Sequence, residues 1–219
     1  MMVGFRGPLT PGVLEDWRQH QFGGLIVLPI NQNVPDPGAI RPLIRSVRGV
    51  MLHPLMAATD SNPATTSSRL KALGFDVNFF ETAADVTAVV AGIHAAGMYA
   101  AAKDVPGDGN HDVTVRAAMA AHVEFIMVGP LNVPSIAGLG YQGVIISDDL
   151  ESEAPSPPPV AAVRFLKNGG DMVIISHDIA VADATYAAIH AAVLNGSYPR
   201  AQLDASVQRL LALGLRFMP

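Results

Sequence analysis

The 219-residue chain contains no cysteine, which excludes a disulfide framework, a thiolate metal site and a cysteine nucleophile. Charge is scarce: 15% of residues are charged, with 19 acidic against 14 basic side chains and a net charge of −5. The basic residues are scattered, so the chain lacks the electropositive footprint of a nucleic-acid binder. Long apolar runs are also missing. No stretch approaches the roughly 20 residues needed to span a bilayer, and the start, MMVGFRGPLTPG, lacks the charged-then-apolar order of a signal peptide. Aromatic residues make up only 6%, and tryptophan occurs once, at Trp17. Aliphatic residues dominate instead. Half of the chain is hydrophobic, enough to bury a full core in one large domain or two small ones. The expectation is a soluble, cytoplasmic globular protein that binds neither nucleic acid nor membrane.

The apolar residues fall in short runs, each ended by polar or turn residues. They are Met2–Phe5, Gly24–Ile30, Pro54–Thr59, Asp76–Phe80, Tyr99–Val105, Phe125–Gly129, Gly143–Asp148 and Met172–Ser176. Most are continuous rather than alternating, the pattern of parallel strands covered on both faces. Helical spacing lies between and after them, at Ala83–Ala96, Val113–Ala121, Val160–Lys167, Ile179–Leu194 and Leu203–Leu213. Strand followed by helix, repeated eight times, predicts an α/β fold: a compact (β/α)8 TIM barrel in a single domain over residues 1–219. The spacing is tight, about 27 residues per unit against a usual barrel of about 250 residues. A doubly wound open sheet shares the same rhythm and stays open as an alternative. No sequence repeat stands out beyond that rhythm, and APSPPP at Ala154–Pro159 reads as a stiff surface loop.

In such barrels the chemistry sits where the strands end. Asp60, Glu81, Lys103-Asp104, Ser147-Asp148-Asp149 and Ser176-His177-Asp178 stand at those ends. Carboxylates, a lysine and a histidine on one rim are the inventory of a sugar-hydrolysing site, where one carboxylate attacks and another group delivers a proton. Because side chains alternate along a strand, Asp148 is expected to face the mouth and Asp149 to point outward or cap the next turn. The densest stretch is KDVPGDGNHD, Lys103 to Asp112. A catalytic loop, a metal site built from Asp104, Asp108, His111 and Asp112, a phosphate cradle and a solvated acidic turn are its four readings. The cradle lacks the glycine spacing and the Lys-Ser/Thr of a P-loop, and three aspartates repel phosphate. Trp17, His94 and His190 sit in helical runs and read as packing residues; His177-Asp178 lines the rim or starts a helix.

Several segments are recognisable. GVIISDDLE (Gly143–Glu151) resembles the nucleophile segment of glycoside hydrolase family 3, and KDVPGDG is similar to the K-H-F-P-G-H-G of its single-domain bacterial β-N-acetylglucosaminidases (β-N-acetylhexosaminidases). GGLIVLPIN resembles G-G-V-I-L-F-x-R-N, LGFDVNFFE resembles L-G-I-N-x-N-F-A-P, and NGGDMVIIS resembles A-G-A-D-M-x-L-I. The tail GSYPRAQLDASVQRLLAL is similar to the family's last helix, and the six segments keep the family's order. The resemblance implies a (β/α)8 barrel, no cofactor, no metal, and a small carbohydrate or cell-wall sugar fragment as ligand. It places Asp148 as nucleophile, Lys103 on sugar hydroxyls and Asp60 on the sugar ring; Asp104 and His177, by their place on the rim, are further sugar-binding candidates. The departures are as informative. Asp104 and Asp108 replace two family histidines, the family arginine after the fourth strand has no counterpart, and Gly129-Pro130 replace another histidine. The family's D-S-H proton donor is reduced to Asn110-His111-Asp112. His111, oriented by Asp108 or Asp112, is the expected substitute donor. The alternative is a degenerate barrel that binds a sugar or a partner without turnover. Shortened loops that expose apolar rim would favour self-association as a homo-oligomer.

Overall fold

In the computed structural model, which describes residues 1–34, 36–60, 67–82, 85–103, 111–129 and 133–214, the eight apolar runs are eight strands. They are β1 (Met2–Val3), β2 (Gly24–Ile26), β3 (Met56–Asp60), β4 (Val77–Glu81), β5 (Tyr99–Lys103), β6 (Phe125–Val128), β7 (Val144–Asp149) and β8 (Met172–Ile175). Every neighbouring pair is parallel, and β1 pairs with both β2 and β8, so the sheet closes into a barrel. The open-sheet alternative is therefore excluded. The surrounding helices are α1 (Pro11–His20), α2 (Ile40–Arg48), α3 (Ser67–Leu73), α4 (Val86–Ala95), α5 (His111–Ala120), α6 (Val133–Gly138), α7 (Pro158–Lys167), α8 (Ile179–Leu194) and α9 (Arg200–Gly214). Among the described residues, none is long and apolar enough to cross a membrane.

The pleat of each strand explains why its residues are apolar on both sides. Inward positions such as Met2, Ile26, Met56, Phe79, Tyr99 and Phe125 fill the barrel, while Val3, Leu25, Phe80, Ile126 and Ile145 pack under the helices. Small residues (Ala58, Ala101) stand beside large ones (Phe79, Phe125) inside so narrow a cylinder, which lets layers of unequal side chains interlock. The seam between β1 and β8 is closer still. A Cβ on Gly4 would lie 2.1 Å from the Ser176 carbonyl oxygen, so that position admits no side chain. At the N-terminal end α9 stoppers the barrel: Leu210 and Leu213 join the interior cluster, and the Tyr99 hydroxyl donates to the Leu213 carbonyl.

A repeat hidden from sequence inspection appears at that same end. Asp76, Glu124 and Asp171 each stand one residue before an even-numbered strand. Their backbone N–H groups donate to the carbonyls of Ala57, Ala100 and Ile145 in the preceding strand. Their carboxylates accept the N–H of those same three residues, at 3.0 Å in each case. A basic side chain completes every unit: Arg48 on Asp76, His94 on Glu124, Arg209 on Asp171. Two residues before each acid the chain turns through positive φ, at Gly74, His122 and Gly169. His122, at φ 61°, is the one of the three with a side chain, and a left-handed non-glycine residue costs about 1–2 kcal/mol. His122→Gly is therefore expected to raise stability by up to ~1 kcal/mol after the extra unfolded-state freedom of glycine is deducted. A lower melting temperature would show that the exposed imidazole makes a compensating contact.

One loop reading changes, and the packing readings of Trp17, His94 and His190 hold. APSPPP is not wholly loop, because Pro158 opens α7, where a missing N–H and fixed φ suit a first turn. Trp17 is fully buried edge-on to Phe22, with ring centroids 5.2 Å apart, as a packing residue should be. His94 is held by Glu124 at 3.1 Å and His190 stacks near Tyr186, so both serve structure.

Candidate active site

The C-terminal ends of the strands bring most of the expected residues together. Asp60, Lys103, Asp148 and His177 all border one cavity of about 240 Å³ at the barrel mouth, floored by Phe79, Met127 and Ile174. The reason is register. The inward positions of β3, β4 and β5 end in Asp60, Glu81 and Lys103, on three adjacent strands. The Lys103 ammonium bonds Asp60 at 2.5 Å and Glu81 at 3.0 Å. Burial works against its charge, but these two carboxylates outweigh that and hold Lys103 above the usual lysine range.

Asp148 faces this clamp from β7. Burial pushes its carboxyl above the ordinary aspartate range, and the charges of Glu153 and Asp149 add to the rise. The backbone N–H of Asp149, 2.7 Å from Asp148 Oδ1, and the charge of Lys103 oppose it. A half-buried carboxylate raised in this way, beside a lysine and in a cleft, has the signature of a functional group.

Asp149 corrects the expectation that it points outward. Register slips between Ile146 and Asp149, a β-bulge that breaks the two-residue period. Consequently Asp148 and Asp149 both border the cavity. Asp149 does cap the turn that follows, accepting the Glu151 N–H at 3.3 Å and the Ser152 hydroxyl at 2.7 Å. It also accepts the Ser176 N–H at 3.1 Å, which ties β7 to the end of β8. Its other oxygen lies 3.4 Å from His177 Nε2.

His177 is fixed on all sides. Its backbone N–H donates to Glu151 at 2.6 Å, its carbonyl accepts from Arg6, and its ring Nδ1 lies 2.6 Å from Asn31 Oδ1. Asn31, fully buried in the turn after β2, donates its amide to the Ser176 carbonyl at 2.7 Å. Burial raises Glu151 above the ordinary glutamate range, partly offset by that His177 N–H. Asn31, Asp149 and Ser152 were not among the expected site residues. Asn31 stands within the recognised GGLIVLPIN segment, and three consecutive polar residues at a strand end were the available sign of the bulge. Asp104 and Asp108 lie outside the described residues; His111 opens α5, with its side chain outside the described ones. Among the described residues, no group of three or more His, Asp and Glu side chains is arranged to hold a metal ion.

No family model matches the sequence, and no curated protein sequence matches it significantly. Solved structures do match. A fungal multi-domain family 3 β-N-acetylglucosaminidase superposes with a TM-score of 0.86 at 19% identity, covering 100% of this chain and 38% of that one. The family 3 β-N-acetylglucosaminidase of Paenibacillus sp. str. FPU-7 gives 0.83 at 22%, covering 98% and 60%. The fold is that of the family 3 β-N-acetylglucosaminidase barrel. The β-N-acetylhexosaminidase of Beutenbergia cavernae gives 0.82 at 17% identity, covering 98% of this chain and 96% of that one. The resemblance read from the motifs is thus a likeness of fold over the whole chain, although the chain spans less than two thirds of the first two proteins. The candidate site occupies the face on which barrels of this architecture carry their chemistry.

Proposed function

We propose that residues 1–219 form a single family 3-like barrel domain that hydrolyses a β-linked N-acetylglucosaminide or β-glucoside with retention, using Asp148 as nucleophile. The observation that carries this reading is Asp148 itself: a partly desolvated carboxylate bordering the mouth cavity, opposite a lysine held by two further acids. The Asp148 carboxylate attacks the anomeric carbon, the glycosidic C–O bond breaks toward the leaving oxygen, and water later releases the sugar from the covalent intermediate. Lys103 and Asp60 are suited to grip ring hydroxyls through charge-assisted hydrogen bonds, with Asp104 and His177 as further sugar contacts. Asp108 and His111 are the proton-donating pair expected from the shortened loop. No cofactor enters the scheme, a sugar fragment is the partner, and a cytoplasmic site of action fits the same reading.

The test is release of nitrophenol from aryl β-N-acetylglucosaminide and β-glucoside, together with trapping by a 2-fluoro glycoside and mass-spectrometric mapping of the label. Label on Asp148 supports the assignment. A second reading, a barrel that binds sugar without turnover, is favoured by the replacement of the resembled histidines by Asp104 and Asp108. Absence of both turnover and label, with retained sugar binding, would select it. Because burial raises Asp148, its ionisation is completed at higher pH than for an ordinary aspartate. The acid limb of kcat/KM should therefore lie above the usual aspartate range of about 3.9, and a limb at or below that range would contradict the nucleophile role.

A further inference from the structure

The His177 ring is held in a way that sugar contact alone does not require. Asn31 donates its amide N–H to the Ser176 carbonyl at 2.7 Å, so its oxygen is the atom turned toward His177. That oxygen lies 2.6 Å from Nδ1, and only an Nδ1–H can satisfy it. The tautomer is thereby set, and proton exchange is confined to Nε2. Nε2 faces the Asp149 carboxylate. Yet the separation is 3.4 Å, longer than a normal N–H···O hydrogen bond of about 2.7–3.2 Å. Asp149 is itself anchored by the Ser152 hydroxyl and the Ser176 N–H and does not close the gap. Nε2 is thus oriented without being tied up in a closed hydrogen bond, in a side chain 15% exposed that borders the same cavity as Asp148.

We infer that His177, in place of the Asp108 and His111 pair, is the proton donor and acceptor of the proposed glycosidase site, positioned by Asn31 and Asp149. This deepens the reading of Asp148 as nucleophile and rests on it. In the first step Asp148 forms the bond to the anomeric carbon, and the glycosidic oxygen leaves with the bonding pair and takes the Nε2 proton. Neutral His177 remains. In the second step its Nε2 lone pair removes a proton from water as the water oxygen attacks the anomeric carbon, which frees the Asp148 carboxylate and restores the imidazolium. Asn31 and Asp149 touch neither sugar nor water in this scheme; they fix the tautomer and the orientation of the ring.

The experiment compares His177→Gln and His111→Gln on aryl glycosides whose leaving groups range from dinitrophenolate to an alkoxide, with 2-fluoro glycoside labelling of each. Loss of a general acid, typically worth about 10²–10⁴-fold, falls on substrates whose leaving oxygen needs the proton and spares those whose oxygen does not. His177→Gln is expected to lose kcat/KM, which reads the first step, by about that factor on the alkyl glycoside and by less than about tenfold on the dinitrophenyl one, with label still reaching Asp148. A merely structural role depresses both substrates alike, and that result overturns the assignment. So does leaving-group dependence that appears in His111→Gln instead. A parent protein that neither turns over nor takes label at Asp148 overturns the glycosidase reading and this inference with it. Labelled Asp148 with a leaving-group-independent His177→Gln overturns this inference alone.

Discussion

Asp148→Asn is expected to remove glycoside hydrolysis, at least ~10³-fold in kcat, while making the folded protein more stable. Loss of activity follows from the role: an amide neither attacks the anomeric carbon nor balances the positive charge that develops there. The gain in stability follows from the sign of the titration shift. Burial, joined by Glu153 and Asp149, raises Asp148 in the folded state. A carboxyl raised on folding contributes stability that is fully present below its unfolded value and is lost as pH rises through the folded value. At neutral pH the ionised carboxylate therefore opposes folding, and asparagine removes that opposition while its side-chain oxygen can still accept the Asp149 N–H. A gain of about 1 kcal/mol has the usual size for such a relief. The decisive measurement is the melting temperature of parent and variant across pH. The difference should be largest near neutrality and shrink as acid protonates the parent. A variant less stable than the parent at neutral pH would mean that Asp148 is a structural anchor rather than a desolvated reactive group.

What the sequence made legible and what it hid follow from how locally each feature is determined. The strands are bounded by residues on the same short segment, so Met2–Phe5 or Gly143–Asp148 betray themselves by composition. Asp60, Lys103, Asp148 and His177 were legible for the same reason: each ends an apolar run, and barrel topology alone gathers them. Helix α2 was not, because Pro42 and three arginines mask the Leu43, Ile44 and Val47 that it buries. Helices α3 and α6 have seven and six residues, too few to show a period. Asp149 was misread because a bulge is a property of two strands, visible only when β7 is laid against β8. Asn31 is bonded to a side chain 146 positions away, and no local pattern can announce that. The acids before β4, β6 and β8 escaped notice likewise. Asp76, Glu124 and Asp171 sit in the unlike strings GFDV, HVEF and GGDM, and what they share is a hydrogen bond to another strand.

Of those three acids, Asp171 should be the least replaceable. Its side chain is 2% exposed, against 16% for Asp76 and 12% for Glu124. One carboxylate oxygen accepts the Ile145 N–H at 3.0 Å. The other accepts the Ser206 hydroxyl at 2.7 Å and the Arg209 guanidinium at 2.5 Å, both from α9. Asp171→Ala leaves the Ile145 N–H unsatisfied inside the barrel wall, which by itself costs about 1–3 kcal/mol. It also cuts the polar tie that holds α9 in place, where Leu210 and Leu213 close the barrel. Breaking a fully buried pair costs about 3–5 kcal/mol, but Arg209 is 39% exposed and can find water once released. We therefore expect a total near 3 kcal/mol, or a fall of roughly 6–12 °C in Tm for a domain of this size. Arg209→Met separates the contributions. It removes the cation and keeps the stem, leaving the Ile145 and Ser206 bonds to Asp171 but taking the counter-charge from a buried carboxylate, so it should cost about 1.5–2 kcal/mol, less than Asp171→Ala. Equal losses in the two variants would mean that the ion pair, and not the buried backbone bond, fastens α9 to the barrel. Exchange of the Ile145 amide hydrogen gives the independent reading. It should accelerate in Asp171→Ala far more than in Arg209→Met, because only the first substitution removes its acceptor.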